Sequence, residues 1–191
     1  MPISREREAV RDPERAAPDA AIGRPSSASI QHALIDQLAS EEGAARRRAR
    51  FALAAMGVAA VPALLRALRD SRSAHVRWGV VKALGEIGDV RAIPMLVAAL
   101  EDDDPDVAWL AAAALRRFER AAWPELLRAL IRNGSRSVVL RHGAHGVLRD
   151  QCAEGCDELL EELMRALSSF TLSETTAVAA YEVLHRLETT G

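Results

Sequence analysis

Two histidines and two cysteines lie close together in the second half of the sequence, as His142, His145, Cys152 and Cys156. Imidazole nitrogens and thiolates are ligands that zinc prefers, and four of them can complete a tetrahedral site. Their spacing fits no standard zinc pattern closely, because both histidines would lie on one helix and both cysteines in the turn after it. We therefore expect no metal and no other cofactor, although these four residues remain the candidate ligand set.

Other residue patterns that could carry out catalysis are missing from the sequence. Neither a Gly-x-Ser-x-Gly elbow nor a phosphate-binding glycine loop occurs. The run Asp102-Asp103-Asp104 after Glu101 could attract a cation, but a short acidic run of this kind is typical of an exposed loop. The sequence therefore predicts a protein that is not an enzyme and has no catalytic residues.

Leucines and tryptophans recur in the middle of the chain at a fixed step. Leu53, Leu84 and Leu115 are 31 residues apart, and the same distance separates Trp78 from Trp109. A further leucine, Leu148, follows Leu115 after 33 residues, which indicates an insertion of two. A period of this size is typical of a solenoid, in which each unit contributes one helical hairpin.

A second phrase repeats between these leucines, at residues 61–68, 93–100 and 123–130, with proline at its second position each time. Proline is tolerated in the first turn of a helix, so the phrase predicts the first helix of each unit. Gly57 and Gly88 are expected to end the second helices of the first two units. Ser29 is expected to cap the first helix of the repeat domain.

Composition favours a single helical domain preceded by a disordered arm. Apolar residues make up 49% of the 191 residues and aromatic residues only 4%, so the core must consist of Leu, Ala and Val, which favour helices. Residues 1–28 contain five Arg and five acidic residues with scattered proline, and they offer few large apolar side chains to bury. We predict a flexible arm at 1–28 and an all-α solenoid of about five helix pairs at 29–191.

Charge and hydropathy narrow the class of partner. The net charge of −2 argues against a nucleic-acid partner, although residues 41–132 carry 15 basic against 12 acidic side chains. Residues 133–191 carry 5 basic against 9 acidic side chains. No stretch reaches the length of a charge-free membrane helix, and no apolar run follows the charged N-terminus. We expect a cytoplasmic protein without a membrane span.

The segment 76–96 resembles the HEAT-like repeats of the class also seen in phycobilisome lyases, and the resemblance extends over about residues 29–188. It implies a right-handed, curved solenoid with the first helices on the convex side and the second helices on the concave side. Some HEAT-repeat enzymes carry a di-iron centre on His-Glu pairs, but no histidine in this sequence is followed by Glu.

The resemblance also implies which positions of each second helix point into the concave groove. Carried onto this sequence, these positions are Arg47, Arg48 and Phe51 in the first unit, Trp78, Gly79 and Lys82 in the second, Trp109, Leu110 and Ala113 in the third, and His142, Gly143 and Gly146 in the fourth. Tryptophan is prominent among binding hot spots. The expected partner-binding residues are Arg47, Arg48, Phe51, Trp78, Lys82, Trp109 and His142. The competing interpretation is that Trp78 and Trp109 pack over the neighbouring unit as core.

The function expected from these observations is that of a bacterial-type scaffold or adaptor, which holds another protein on its concave face as a subunit of a larger complex. One alternative is tetrapyrrole handling, as in phycobilin lyases, with Arg47, Trp78 and Trp109 holding the pigment and its propionates. The other is recognition of a damaged base, as in DNA glycosylases built on HEAT-like folds; this needs a strongly basic groove, which the net charge opposes.

Overall fold

The computed structural model describes residues 26–149, 158–168 and 174–190. Within these ranges the chain forms ten α-helices, several joined by short 3₁₀ turns, and no β-strand. The helices are α1 (Ser27–Gln37), α2 (Gly43–Ala55), α3 (Val61–Asp70), α4 (Ala74–Ile87), α5 (Ile93–Ala98), α6 (Pro105–Arg116), α7 (Trp123–Asn133), α8 (Val138–Arg149), α9 (Glu158–Ser168) and α10 (Thr175–Thr190).

Consecutive helices pair as hairpins, and the hairpins stack in two layers. The first helices α1, α3, α5 and α7 contact one another in order, and so do the second helices α2, α4, α6 and α8. Each second helix also packs on its own first helix. The all-α solenoid of about five helix pairs expected from the sequence is therefore confirmed.

The repeated leucines form the centre of the stack. Leu53, Leu84, Leu115 and Leu148 are all 0% exposed, one in each of the four second helices. The insertion of two residues before Leu148 is divided between α7, which is one residue longer than α3, and the turn that follows α7. The spacing changes at this point while the leucine keeps its place in the core.

The residues that begin and end the helices act largely as expected. A proline stands in the first turn of each of α3, α5 and α7. The Asp104 carboxylate accepts hydrogen bonds from the Asp106 and Val107 backbone N–H groups at the start of α6. The expected cap of α1 was wrong: the helix begins at Ser27, and the Ser26 hydroxyl accepts the Ser29 N–H at 3.1 Å.

A left-handed residue follows the second helix in each of the first three units. Gly57 and Gly88 have φ of 58° and 71°, and the third unit places Glu119 at the same position with φ of 50°. Glycine adopts this conformation without steric cost, whereas a side chain with a Cβ is strained there.

Replacement of Glu119 with glycine is therefore expected to raise the free energy of unfolding by about 1 kcal/mol. Urea titration followed by circular dichroism measures the change. Glu101→Gly, at an exposed position with ordinary backbone geometry, is the control and is expected to be destabilising or neutral. Equal stability of Glu119→Gly and the wild-type protein would show that the left-handed conformation carries no strain.

A nearly buried ion pair joins the second and third units. Arg77 on α4 donates to both carboxylate oxygens of Asp102, from Nε and from Nη2, at 2.8 Å each. It also donates to Asp103 and to the Ser71 carbonyl oxygen of its own unit. Burial acts to raise the pKa of Asp102, but the hydrogen bonds from Arg77 outweigh it and hold that pKa below its ordinary value.

The last helix pair differs from the others in how it joins the stack. Continued stacking would place α9 beside α7 and α10 beside α8. Instead, α10 packs extensively against α7, and α9 packs against α8. The four helices α7 to α10 thus form a closed ring, which covers the apolar surface at the end of the solenoid. Terminal units of solenoids need such a covering.

Two expectations concern parts of the chain or properties that the fold addresses only in part. The proposed arm at 1–28 lies outside the described residues except for its last three. Within the described ranges no single helix is long and apolar enough to cross a bilayer, but α2 and the following segment Gly57–Asp70, bent by 114°, reach that length and composition together.

Candidate functional site

The exposed side of α2, α4, α6 and α8 is called the second-helix face below. The column of positions singled out from the sequence lies on it. Trp109 is 69% exposed and Trp78 is 37% exposed, and Arg47 and His142 are exposed as well. The third tryptophan of the chain, Trp123, is 5% exposed in the core. Two large aromatic side chains therefore stand open to solvent at equivalent positions of adjacent units.

The widest basic opening on this face lies between α2 and α4 and is called the α2–α4 cleft. It has a volume of about 460 Å³, and its walls include Arg46, Arg47, Arg50, His75 and Trp78. Arg46 is held in place by the Ser40 and Glu41 carbonyl oxygens, at 2.6 and 2.9 Å. The cleft therefore brings together basic groups and one aromatic ring.

Arg50 occupies the centre of the cleft and was missed by the sequence analysis. Its guanidinium carbon is 4.7 Å from the Phe51 ring centroid and 5.7 Å from the Trp78 ring centroid, within cation–π range. Its buried Nε has no hydrogen-bond partner, and the Glu86 carboxylate lies 3.9 Å from it. The available signal was a departure from the repeat, because Val81 follows in the next unit.

Glycine at one repeat position lets the second helices approach their neighbours. A Cβ on Gly79 would lie 2.9 Å from Leu38, and one on Gly143 would lie 3.0 Å from Leu100. Leu110, at the same position of the third unit, is 4% exposed. The expectation that this position points into the groove was wrong for Leu110, because the position packs against the core.

Arg48 takes this same position in the first unit and is exposed, with Nη2 3.7 Å from the Glu42 carboxylate. Phe51 is 54% exposed, and Lys82 is partly exposed beside Glu86 and Arg117 in a shallow groove between α4 and α6. Phe51 and Lys82 thus lie on the second-helix face, while Arg48 lies on the side where later units bury their equivalent residue.

A third opening, of about 610 Å³, lies between α6 and α8. Trp109 stands on one wall and His142 on the other. Burial lowers the pKa of His145, and the nearby Arg149 and His142 lower it further, so this imidazole is uncharged at neutral pH. No three His, Cys, Asp or Glu residues gather as metal ligands in the part of the chain described; Cys152 and Cys156 lie outside it.

Comparison with known proteins agrees with this architecture. Residues 32–116 match the family model for HEAT repeats. No curated protein matches the chain. A solved structure from Nostoc sp. PCC7120, the complex of CpcE and CpcF of phycocyanin lyase, shares the fold with a TM-score of 0.56. That match is 21% identical and covers 81% of this chain and 98% of the other chain. The protein is therefore a HEAT-like repeat protein.

Proposed function

We propose that this protein is a non-enzymatic binding subunit, which holds another protein on its second-helix face within a larger complex. The observation that carries the proposal is the exposure of Trp78 and Trp109 at one repeat position. Exposed tryptophan is uncommon on a surface that faces only water, and Trp, Tyr and Arg dominate the binding energy of protein interfaces.

The environment of the two rings supports binding over a purely structural role. Trp109 leaves 69% of its surface open, so most of the area it could bury is still available to a partner. Trp78 is fixed from beneath by the Arg50 guanidinium. A ring that is already held in place loses little conformational entropy when a partner packs on it.

The double substitution Trp78→Ala and Trp109→Ala tests the proposal. Hot-spot tryptophans contribute about 2 kcal/mol or more each, so the affinity for the partner is expected to fall by at least about 100-fold. Affinity capture from the native extract, with mass spectrometry of the retained proteins, identifies the partner. Titration of the purified partner then gives the change in affinity.

Tyr181→Ala is the matched control, because Tyr181 is 58% exposed on α10, away from the second-helix face. Helical content and melting temperature should stay close to those of the wild-type protein in both variants. Unchanged partner affinity in the tryptophan variant would contradict the proposal. A large loss of stability in that variant would assign both rings to the core instead.

Tetrapyrrole handling is the second candidate. The solved structure that shares the fold belongs to a phycocyanin lyase complex, and the α2–α4 cleft presents arginines beside an aromatic ring, as a flat pigment with carboxylates requires. Titration with biliverdin, followed by its visible absorption, distinguishes the two. A stoichiometric spectral shift that Trp78→Ala and Arg47→Gln abolish would favour this candidate over the binding of a protein.

A further inference from the structure

The cations of the second-helix face differ from other exposed cations in what surrounds them. Elsewhere, several exposed arginines are paired: Arg69 with Asp70 at 2.9 Å, Arg91 with Asp89 at 2.7 Å, and Arg132 with Glu125 at 3.3 Å. Those arginines lie on the first helices or in the turns that lead into them. Their charges are neutralised within the molecule.

On the second-helix face, Arg47 and Lys82 have no carboxylate partner among the described residues. Arg50 between them has a buried, unpartnered Nε, and the nearest carboxylate, that of Glu86, is 3.9 Å away. An arginine N–H that is buried without a partner is costly unless a ligand supplies the acceptor. The face therefore presents positive charge that the chain itself leaves uncompensated.

We propose that the partner presents an acidic segment to this face, with carboxylates on Arg47, Arg50 and Lys82 and apolar side chains on Phe51 and Trp78. This inference rests on the proposed function and specifies the chemistry of the partner. The charge complementarity comes from the three cations, and the aromatic rings beside them account for the apolar part of the segment.

The geometry of the stack suits an extended segment that crosses the second helices. Packed helices lie about 8–10 Å apart, and an extended chain advances about 3.3 Å per residue. One unit therefore corresponds to about three residues of the bound segment. A peptide that repeats Glu-Glu-Leu would place one leucine and a pair of carboxylates at each unit.

Nucleic acid fits this surface less well than a short acidic segment. Duplex DNA carries a phosphate charge at every ~1.7 Å along its axis, so it would extend beyond the cleft. The next helices carry exposed carboxylates that would repel it, at Glu158, Glu161, Glu162, Glu174, Glu182 and Glu188. Asp106 also lies at the cleft itself.

Binding of a fluorescein-labelled peptide of Glu-Glu-Leu repeats, followed by anisotropy, tests the inference. We expect it to bind at least tenfold more tightly than a Gln-Gln-Leu peptide of equal length, and to weaken as NaCl is raised. The double variant Arg47→Gln, Lys82→Gln should lose at least tenfold in affinity. Arg69→Gln, Arg91→Gln is the matched control, which removes two paired arginines and should bind normally.

Three results would overturn the inference. These are equal affinity for the acidic and neutral peptides, an unchanged affinity in Arg47→Gln, Lys82→Gln, and tighter binding of an oligothymidylate that this variant loses. The natural partner separates this failure from that of the proposed function. If it is lost on Trp78→Ala, Trp109→Ala but kept on Arg47→Gln, Lys82→Gln, the face binds protein without acidic recognition; if both variants keep it, the proposed function fails too.

Discussion

Replacement of Arg77 with methionine is expected to lower the free energy of unfolding by about 3–5 kcal/mol. Methionine keeps the length of the side chain but leaves the Asp102 carboxylate, which is 8% exposed, without its counterion. Removal of one partner of a buried ion pair is costly because the remaining charge stays in a poorly solvated place. Thermal unfolding should show a fall in Tm of about 10 °C for a chain of this size.

A second substitution separates the cost of the unpaired charge from the value of the pair. Ser71 stands 31 residues before Asp102, at the same repeat position, and its hydroxyl accepts the Ser73 N–H much as Asp102 accepts the Asp104 N–H. Arg77→Met with Asp102→Ser should therefore recover most of the lost stability. Arg69→Met, in an exposed pair, should change it by less than about 0.5 kcal/mol.

The pH dependence gives the same prediction an independent sign. In the wild-type protein the pKa of Asp102 is below its ordinary value, so its contribution is complete above about pH 4 and is lost as the pH falls further. In Arg77→Met, burial without a counterion raises that pKa, so the variant should gain stability on mild acidification from pH 7. Parallel pH profiles of the two proteins would show that the pair does not join the units.

Replacement of Gly85 with valine is expected to lower the free energy of unfolding by about 1–3 kcal/mol. A Cβ built on Gly85 lies 2.9 Å from the Ala114 Cβ and 3.4 Å from the Ala114 Cα. Because one of these atoms belongs to the backbone, α4 and α6 must move apart to admit a side chain. The resulting displacement would open the stack between the second and third units. Urea unfolding followed by circular dichroism measures it.

Gly146 provides the matched control within a second helix of the same stack. Nothing lies within 4 Å of a Cβ built there, so Gly146→Ala should raise stability by about 0.5–1 kcal/mol through helix propensity alone. Gly85→Ala should fail to show this gain. An equal gain at both positions would mean that α4 and α6 do not approach closely at Gly85.

The fold was largely predictable because a solenoid encodes burial in a short repeating pattern. Leu53, Leu84, Leu115 and Leu148 share one repeat position and are all fully buried. Each unit buries the same face against a similar neighbour, so one unit predicts the next. The glycines and prolines that end and begin helices act within a few residues of themselves, and sequence spacing is enough to locate them.

The candidate site was predictable only in part, for the same reason. Trp78 and Trp109 stand out because two units share them. Arg50 was not foreseen, because the next unit carries Val81 at its position, and its cation–π contact with Trp78 joins two different helices. Leu110 was misplaced, because the pattern cannot tell a groove position from one packed against the preceding unit.

The sequence by itself determined the helices, their pairing and the leucine core, since these follow from local periodicity. Only the tertiary structure decided how the stack ends. An amphipathic helix such as α9 or α10 must bury its apolar stripe, but the stripe does not specify which neighbour covers it. The structure places α10 on α7 and α9 on α8, because the final surface to be covered belongs to both layers at once.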